Sequence, residues 1–127
     1  MENKPIKTPG ADHPITIEKN PNRIMVIVGG KVVADTYNAL TLREADYPPV
    51  HYIPRQNVNM ALLQRQAQKT YCPYKGNCSY YTISANGQKR ETAAWSYETP
   101  YTAVEPIKEY IAFYPDRVDA VSETQFA

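Results

Sequence analysis

The sequence predicts a mostly β, compact single-domain fold. Three observations carry that expectation. The apolar runs are short and alternate with polar residues. Gly-Gly and Asn-Gly pairs separate several of them. The aromatic residues are nearly all tyrosine, 11 against 2 Phe and 1 Trp, and aromatic and β-branched side chains suit a pleated, half-buried surface. A count of 11 Pro against 5 Gly favours stiff extended connections over helix. A chain of 127 residues suits one domain and buries enough surface to fold without metal or disulfide.

Residues 1–12 are polar and carry Pro5, Pro9 and Gly10, which predicts a flexible N-terminal arm before a domain over residues 13–119. Ile15 and Ile17 alternate with Thr16 and Glu18, as in a half-buried strand. Arg23 to Val28 and Lys31 to Asp35 flank Gly29-Gly30, a pair that accepts the positive φ of tight hairpin turns, so a β-hairpin is placed there. Leu40 and Leu42 alternate in a further strand that ends at Pro48-Pro49. Val50 to Ile53 is short and β-rich. Asn57 can cap a helix, and Val58, Ala61, Leu62 and Arg65 share one helical face, so one short helix is expected near residues 58–66. Strands over Ser79 to Ile83 and Thr92 to Tyr97 flank the turn dipeptide Asn86-Gly87. Val104 to Lys108 suits one helical turn, Ile111 to Phe113 a last strand, and residues 120–127 a frayed tail.

Lys plus Arg is 14 and Asp plus Glu is 13, a formal charge of +1. A general phosphate-backbone binder is markedly more basic, so nucleic acid is not an expected partner. The longest apolar run, Ile24 to Val28, falls far short of the ~20 residues that span a bilayer, so no membrane association is expected. The N-terminal residues lack the apolar core of a signal peptide. A cytoplasmic location with two reduced cysteines is the expectation.

Chemistry concentrates in three stretches. Thr70-Tyr71-Cys72-Pro73-Tyr74-Lys75-Gly76 places a thiol, an ammonium and two phenols beside a rigid proline and a permissive glycine. A nearby cation such as Lys75 lowers a thiol pKa, which makes Cys72 a candidate reactive thiol, with a structural thiol as the alternative. In Leu42 to Arg55, strand alternation sets Arg43 opposite Leu42 and Glu44. If Leu42 faces inward, so does Glu44, which then needs a partner such as Lys75 or an arginine. In Ala94 to Glu98, Trp95 and Tyr97 share one strand face while Ser96 and Glu98 share the other. Cys72 and Cys78 do not have zinc-knuckle spacing, and with His13 and His51 they are a poor structural zinc set, so no metal and no cofactor is expected. Walker, nucleophile-elbow and dinucleotide-binding motifs are absent.

Several stretches together resemble the family known as domain of unknown function 427, from His13 to about Asp119. They are His13-Pro14-Ile15, Arg23 with Gly30 to Thr36, Arg43-Glu44 through Pro48-Pro49-Val50 to Tyr52-Ile53-Pro54-Arg55, Thr70 to Gly76, Ser79-Tyr80-Tyr81, Ala94 to Tyr97 and Ile111 to Tyr114. The resemblance implies a compact fold similar to the β-tent class. Relatives in that class often hold zinc with two Cys-x-x-Cys pairs, which this chain lacks. A nucleotidyltransferase label also attaches to the family, but no motif here supports that chemistry.

Together these features point to a small-ligand-binding β domain. Tyr52, Tyr74, Trp95 and Tyr97 are expected to wall a cleft, with Arg43, Glu44 and Lys75 as its charged groups and an anionic small molecule as the partner. One alternative is an enzyme with Cys72 as nucleophile or redox thiol, Glu44 as acid/base and Lys75 as electrostatic stabiliser. Another is a homo-oligomerising or partner-binding module that uses the tyrosine-rich surface.

Overall fold

A computed structural model describes residues 4–125. Among the described residues ten strands form three antiparallel sheets. Strand β1 (Ile15–Asn20), β4 (Ala39–Glu44) and β5 (Val50–Tyr52) make one, in the order β1-β4-β5. Strand β2 (Arg23–Val28), β3 (Lys31–Thr36) and β10 (Ala120–Thr124) make the second, in the order β10-β2-β3. The third holds β6 (Leu63–Cys72), β7 (Gly76–Ala85), β8 (Gln88–Ser96) and β9 (Ala112–Phe113) in sequence order. Among the described residues the helical elements are short 3-10 turns, and none is long and apolar enough to cross a membrane.

The four-stranded sheet is covered on both faces, and strand alternation explains how. Tyr81, Ile83 and Ala94 point into a core shared with Ile24, Val26 and Val28 of β2. Cys78, and Tyr97 just beyond β8, point the other way, into a second core with Leu42 of β4, Tyr52 of β5, Val104 and Ile107. The two outer sheets thus pack on opposite faces of the third. The backbone groups of Ile53 and Ile111 exchange hydrogen bonds of 2.8 and 2.9 Å and tie β5 to the start of β9.

The hairpin at Gly29-Gly30 forms as expected, with φ of +59° and +74°. A Cβ on Gly29 would lie 2.8 Å from the Ala85 carbonyl oxygen, whereas none of the protein comes within 4 Å at Gly30. Gly29 is therefore required for close approach as well as for its backbone angle. Asn86-Gly87 turns β7 into β8, also as expected.

Two expectations are corrected. The helix near 58–66 does not form. Arg55–Asn57 and Met60–Leu62 are single 3-10 turns, and from Leu63 the chain is strand β6. Asn57 caps no helix, because its side-chain oxygen accepts the Thr36 hydroxyl at 2.8 Å. The Asn59 N–H goes to the Val33 carbonyl at 2.8 Å, so the segment is held extended along β3. Non-local pairing overrides a helical pattern here.

The tail is also not frayed over residues 120–124. Ala120–Thr124 pairs in five-residue register with β2, from Ala120↔Ile27 to Thr124↔Arg23. Asp119 anchors its start by accepting the Gly29 N–H at 2.7 Å. The expected arm is partly docked, since Lys7 donates its backbone N–H to Pro73 at 3.0 Å and Pro5 accepts the Tyr71 hydroxyl. Residues 1–3 of that arm and 126–127 of that tail lie outside the described residues.

Candidate functional site

Three segments far apart in sequence meet beside the second core. Strand β4 delivers Leu42 and Glu44 on one face, with Arg43 on the other. The hairpin between β6 and β7 delivers Lys75. Cys72 pairs with Gly76, so Pro73-Tyr74-Lys75 is a three-residue loop, closed by Gly76 at φ +107°. The Lys75 carbonyl accepts the Tyr101 N–H at 3.0 Å, which pins the loop to the segment after β8. Strands β7 and β8 deliver Tyr80 and Trp95, a directly opposed pair, on the same face as Cys78 and Tyr97.

A cavity of about 180 Å³ opens between them. Glu44, Lys75, Tyr52, Tyr80, Trp95 and Tyr97 are among its walls, with Tyr47, Pro48 and Tyr114 as others. Its floor is a buried ion pair. Lys75 donates from Nζ to Glu44 Oε1. The side chains are only 10 % and 12 % exposed. His13 reaches the other carboxylate oxygen, Nε2 to Oε2 at 2.7 Å. With Glu44 ionised, Nε2 must carry the proton and donate. Tyr74 does not line the cavity; it stacks on the His13 ring, with centroids 3.9 Å apart and planes 6° apart, and so holds that imidazole in place.

Burial pulls the Glu44 carboxyl upward, but the hydrogen bonds from Lys75 and His13 outweigh it and hold the group below its ordinary value. The sign follows from linkage. A carboxyl depressed in the folded state contributes stability that is complete above its unfolded pKa and is lost as pH falls through the folded one. The melting temperature should therefore drop as pH falls below the ordinary carboxylate range, and Glu44→Gln should make that drop shallower. Thermal melts from about pH 7 to about pH 3 measure it. Glu98, Asp35, Asp119 and Glu123 are lowered too, so Glu44→Gln removes part of the slope and not all of it.

The phenols are neutral hydrogen-bonding groups. Burial pushes Tyr52 and Tyr97 far above the ordinary range and Tyr80 up to about 12. Tyr52 accepts the Trp95 indole N–H at 3.3 Å and meets that ring edge-on. Tyr97 presents its ring 5.7 Å from Lys75 Nζ, a distance suited to a cation–π contact. Burial likewise raises the Cys78 thiol and keeps it protonated; it packs in the second core as a small apolar residue.

The structure thus brings Glu44, Lys75, Tyr52, Trp95 and Tyr97 to one cavity. It leaves out Arg43, which is exposed on the opposite face of β4, and it places Tyr74 one layer back behind His13. Cys72 is not among the walls, although its sulfur lies 3.9 Å from Lys75 Nζ. His13, Tyr80 and Tyr114 were not foreseen as parts of this site. Tyr80 was readable, because period-two alternation puts it on the face of Cys78. His13 was not, because no spacing rule links it to Glu44.

Among the described residues no three His, Cys, Asp or Glu side chains converge as a metal site. His13 is engaged with Glu44, and His51 with Thr41 at 2.9 Å and Glu123 at 3.3 Å. A second polar cluster lies on the other face of the four-stranded sheet. There Glu98 accepts from Arg65, Ser79 and Tyr81, and Arg55 donates to Tyr81 and Ser96. Its members satisfy one another.

The family described as "Domain of unknown function (DUF427)" matches residues 16–124, nearly the whole chain. A comparison with curated proteins finds no match. The chain belongs to the domain of unknown function 427 family.

Proposed function

We propose that this domain binds a small molecule in the cavity over Lys75 and Glu44. The observation that carries the reading is a lysine and a glutamate almost wholly withdrawn from water at the floor of an aromatic-walled cavity. A buried ion pair is at best weakly stabilising compared with apolar packing. Here the same volume between Leu42, Tyr52 and Tyr97 could have been closed by aliphatic side chains. Concave, mostly apolar sites with a few convergent polar groups are the usual form of ligand pockets.

Glu44 has both oxygens engaged, by Lys75 and by His13. The ammonium has three N–H groups, of which Glu44 takes one and the Cys72 sulfur weakly another. What the floor offers is therefore a donor. Lys75 would hold an anionic or other acceptor group, Glu44 would orient Lys75, and the Trp95 ring would pack against the attached apolar part. A nucleophilic role for Cys72 has less support, since Cys72 is not among the residues that line the cavity.

The test is a thermal-shift screen against a panel of small metabolites, in parallel on wild type and Lys75→Met. At least one acidic member should stabilise wild type, and Lys75→Met should lose that stabilisation while keeping its fold by circular dichroism. Stabilisation that persists unchanged in Lys75→Met would refute the assignment of this pocket.

A further inference from the structure

A second, larger cavity adjoins the first. It measures about 330 Å³; Tyr47, Pro48, Pro49, Pro115 and Val121 form its accessible lining, over the buried Ile24, Val26 and Ile53. Among the described residues that line it there is no Asp, Glu, Lys or Arg. Its histidine, His51, has both ring nitrogens turned to Thr41 and Glu123, so the imidazole brings apolar ring surface rather than an open polar atom. Four residues, Tyr47, Pro48, Val50 and Trp95, line both cavities. The two spaces therefore meet along a single wall made by the β4–β5 connection and one indole ring.

The space is a partly open apolar cleft with Tyr47, Pro48, Pro49 and Pro115 on its exposed side. Apolar cavities of about 150 Å³ stay dry and take up benzene, so this one has room for a larger hydrocarbon body. Water gains little there, because a bound water needs two to four polar partners. The polar cavity across the wall has the opposite character, a donor on a fixed ion pair. The rim that separates them is also its most exposed part: Tyr47 is 65 % exposed, and Ala45 at the start of the connection is held at φ +46°, a left-handed angle that strains a residue with a Cβ.

We infer that the two cavities are one bipartite site for an amphipathic monocarboxylate, its acid group on Lys75 and its apolar body across Trp95 in the chamber between β2, β9 and β10. The inference rests on the reading of the Lys75 cavity as a binding site and adds the class of ligand. A carboxylate is the acceptor proposed for the floor, where Lys75 keeps an ammonium N–H beyond those given to Glu44 and Cys72. An unbranched or aromatic hydrocarbon body follows from the chamber, whose walls offer no charged partner. The two halves are neighbours across the four shared residues, and one molecule would pass between them over that rim.

The chain has 1 Trp, and it stands in that wall, so its emission reports on either side. Trp95 fluorescence, checked by calorimetry, should be followed on addition of 4-phenylbutyrate, butyrate and butylbenzene: acid with body, acid alone, body alone. The proteins are wild type, Lys75→Met and Val121→Phe, the last of which fills the chamber from β10. Pro115→Phe fills it from an exposed turn should Val121→Phe not fold. In wild type, 4-phenylbutyrate should bind at least about tenfold tighter than either fragment, as expected when a phenyl group leaves water. Val121→Phe should weaken 4-phenylbutyrate at least about fivefold and leave butyrate unchanged, since the lost area is all on the apolar side. Lys75→Met should weaken both acids. Equal binding of 4-phenylbutyrate and butyrate, each dependent on Lys75, would overturn the bipartite site and leave the polar pocket standing. Binding of 4-phenylbutyrate that ignores Lys75→Met would overturn it by confining the ligand to the apolar chamber. Failure of all three probes to bind at millimolar concentration would overturn both the bipartite site and the polar pocket.

Discussion

Glu44→Leu should destabilise the protein by about 3 kcal/mol, and Lys75→Met by distinctly less, about 1–2 kcal/mol. The asymmetry comes from what each change leaves behind. Without Glu44, the Lys75 ammonium remains in a site where the side chain is 10 % exposed, beside the Cys72 sulfur at 3.9 Å and the Tyr97 ring at 5.7 Å. Removing one partner of a buried pair typically costs 3–5 kcal/mol, because the other charge stays uncompensated; some water reaches this pair, which sets the expectation at the low end. Without Lys75, Glu44 keeps the His13 N–H at 2.7 Å. The double change Glu44→Leu with Lys75→Met should recover most of the loss, since no buried charge is then stranded. Urea denaturation of the four proteins measures this directly. In a domain of this size the Glu44→Leu loss corresponds to a melting temperature lower by roughly 10 °C. A greater loss in Lys75→Met than in Glu44→Leu would contradict the geometry of the floor.

Truncation after Asp119 should cost about 3 kcal/mol or more. A frayed tail would cost no more than about 0.5 kcal/mol, the range of ordinary surface changes. The large value is expected because β10 does three things. It pairs with β2 from Ile27 to Arg23, it places Val121 against the first core, and through Glu123 it accepts hydrogen bonds from Asn20 at 2.9 Å and Asn22 at 2.8 Å. Its loss would leave β2, whose Ile24 and Val26 are wholly buried, as an edge strand open to pairing with other chains. Equilibrium unfolding and light scattering of the truncated chain provide the check.

The parts of the fold that local chemistry dictates were legible in the sequence. The Gly29-Gly30 and Asn86-Gly87 turns require positive φ, and strands alternate on either side of them. Within the site, the inward direction of Glu44 and its need for a cation followed from period-two alternation beside Leu42. The parts that non-local contacts dictate were not legible. Strand β6 reads Leu-Gln-Arg-Gln-Ala-Gln-Lys-Thr-Tyr-Cys, rich in helix formers and without alternation. It is a strand because β7 pairs with it, with a register shift between Arg65 and Lys69. Strand β10 carries one half-buried apolar residue in five positions, too few to signal a strand until β2 lies beside it. Arg43 looked like a ligand group because it adjoins Glu44 in sequence, yet adjacent residues on a strand face opposite ways. His13 reaches Glu44 across 31 positions, a contact no local pattern encodes.

A small molecule held at Lys75 against the Trp95 wall would leave a direct spectroscopic trace. Two-dimensional ¹H–¹⁵N spectra of labelled protein, titrated with the acidic compound that stabilises it best, would record it. The Trp95 indole N–H and the Tyr74, Lys75 and Gly76 amides should shift together, saturably and with one dissociation constant, while Arg65 and Glu98 on the far face of the sheet stay put. Saturable shifts confined to that far face, or no shift at Trp95 and Lys75 with any stabilising compound, would contradict binding at this site.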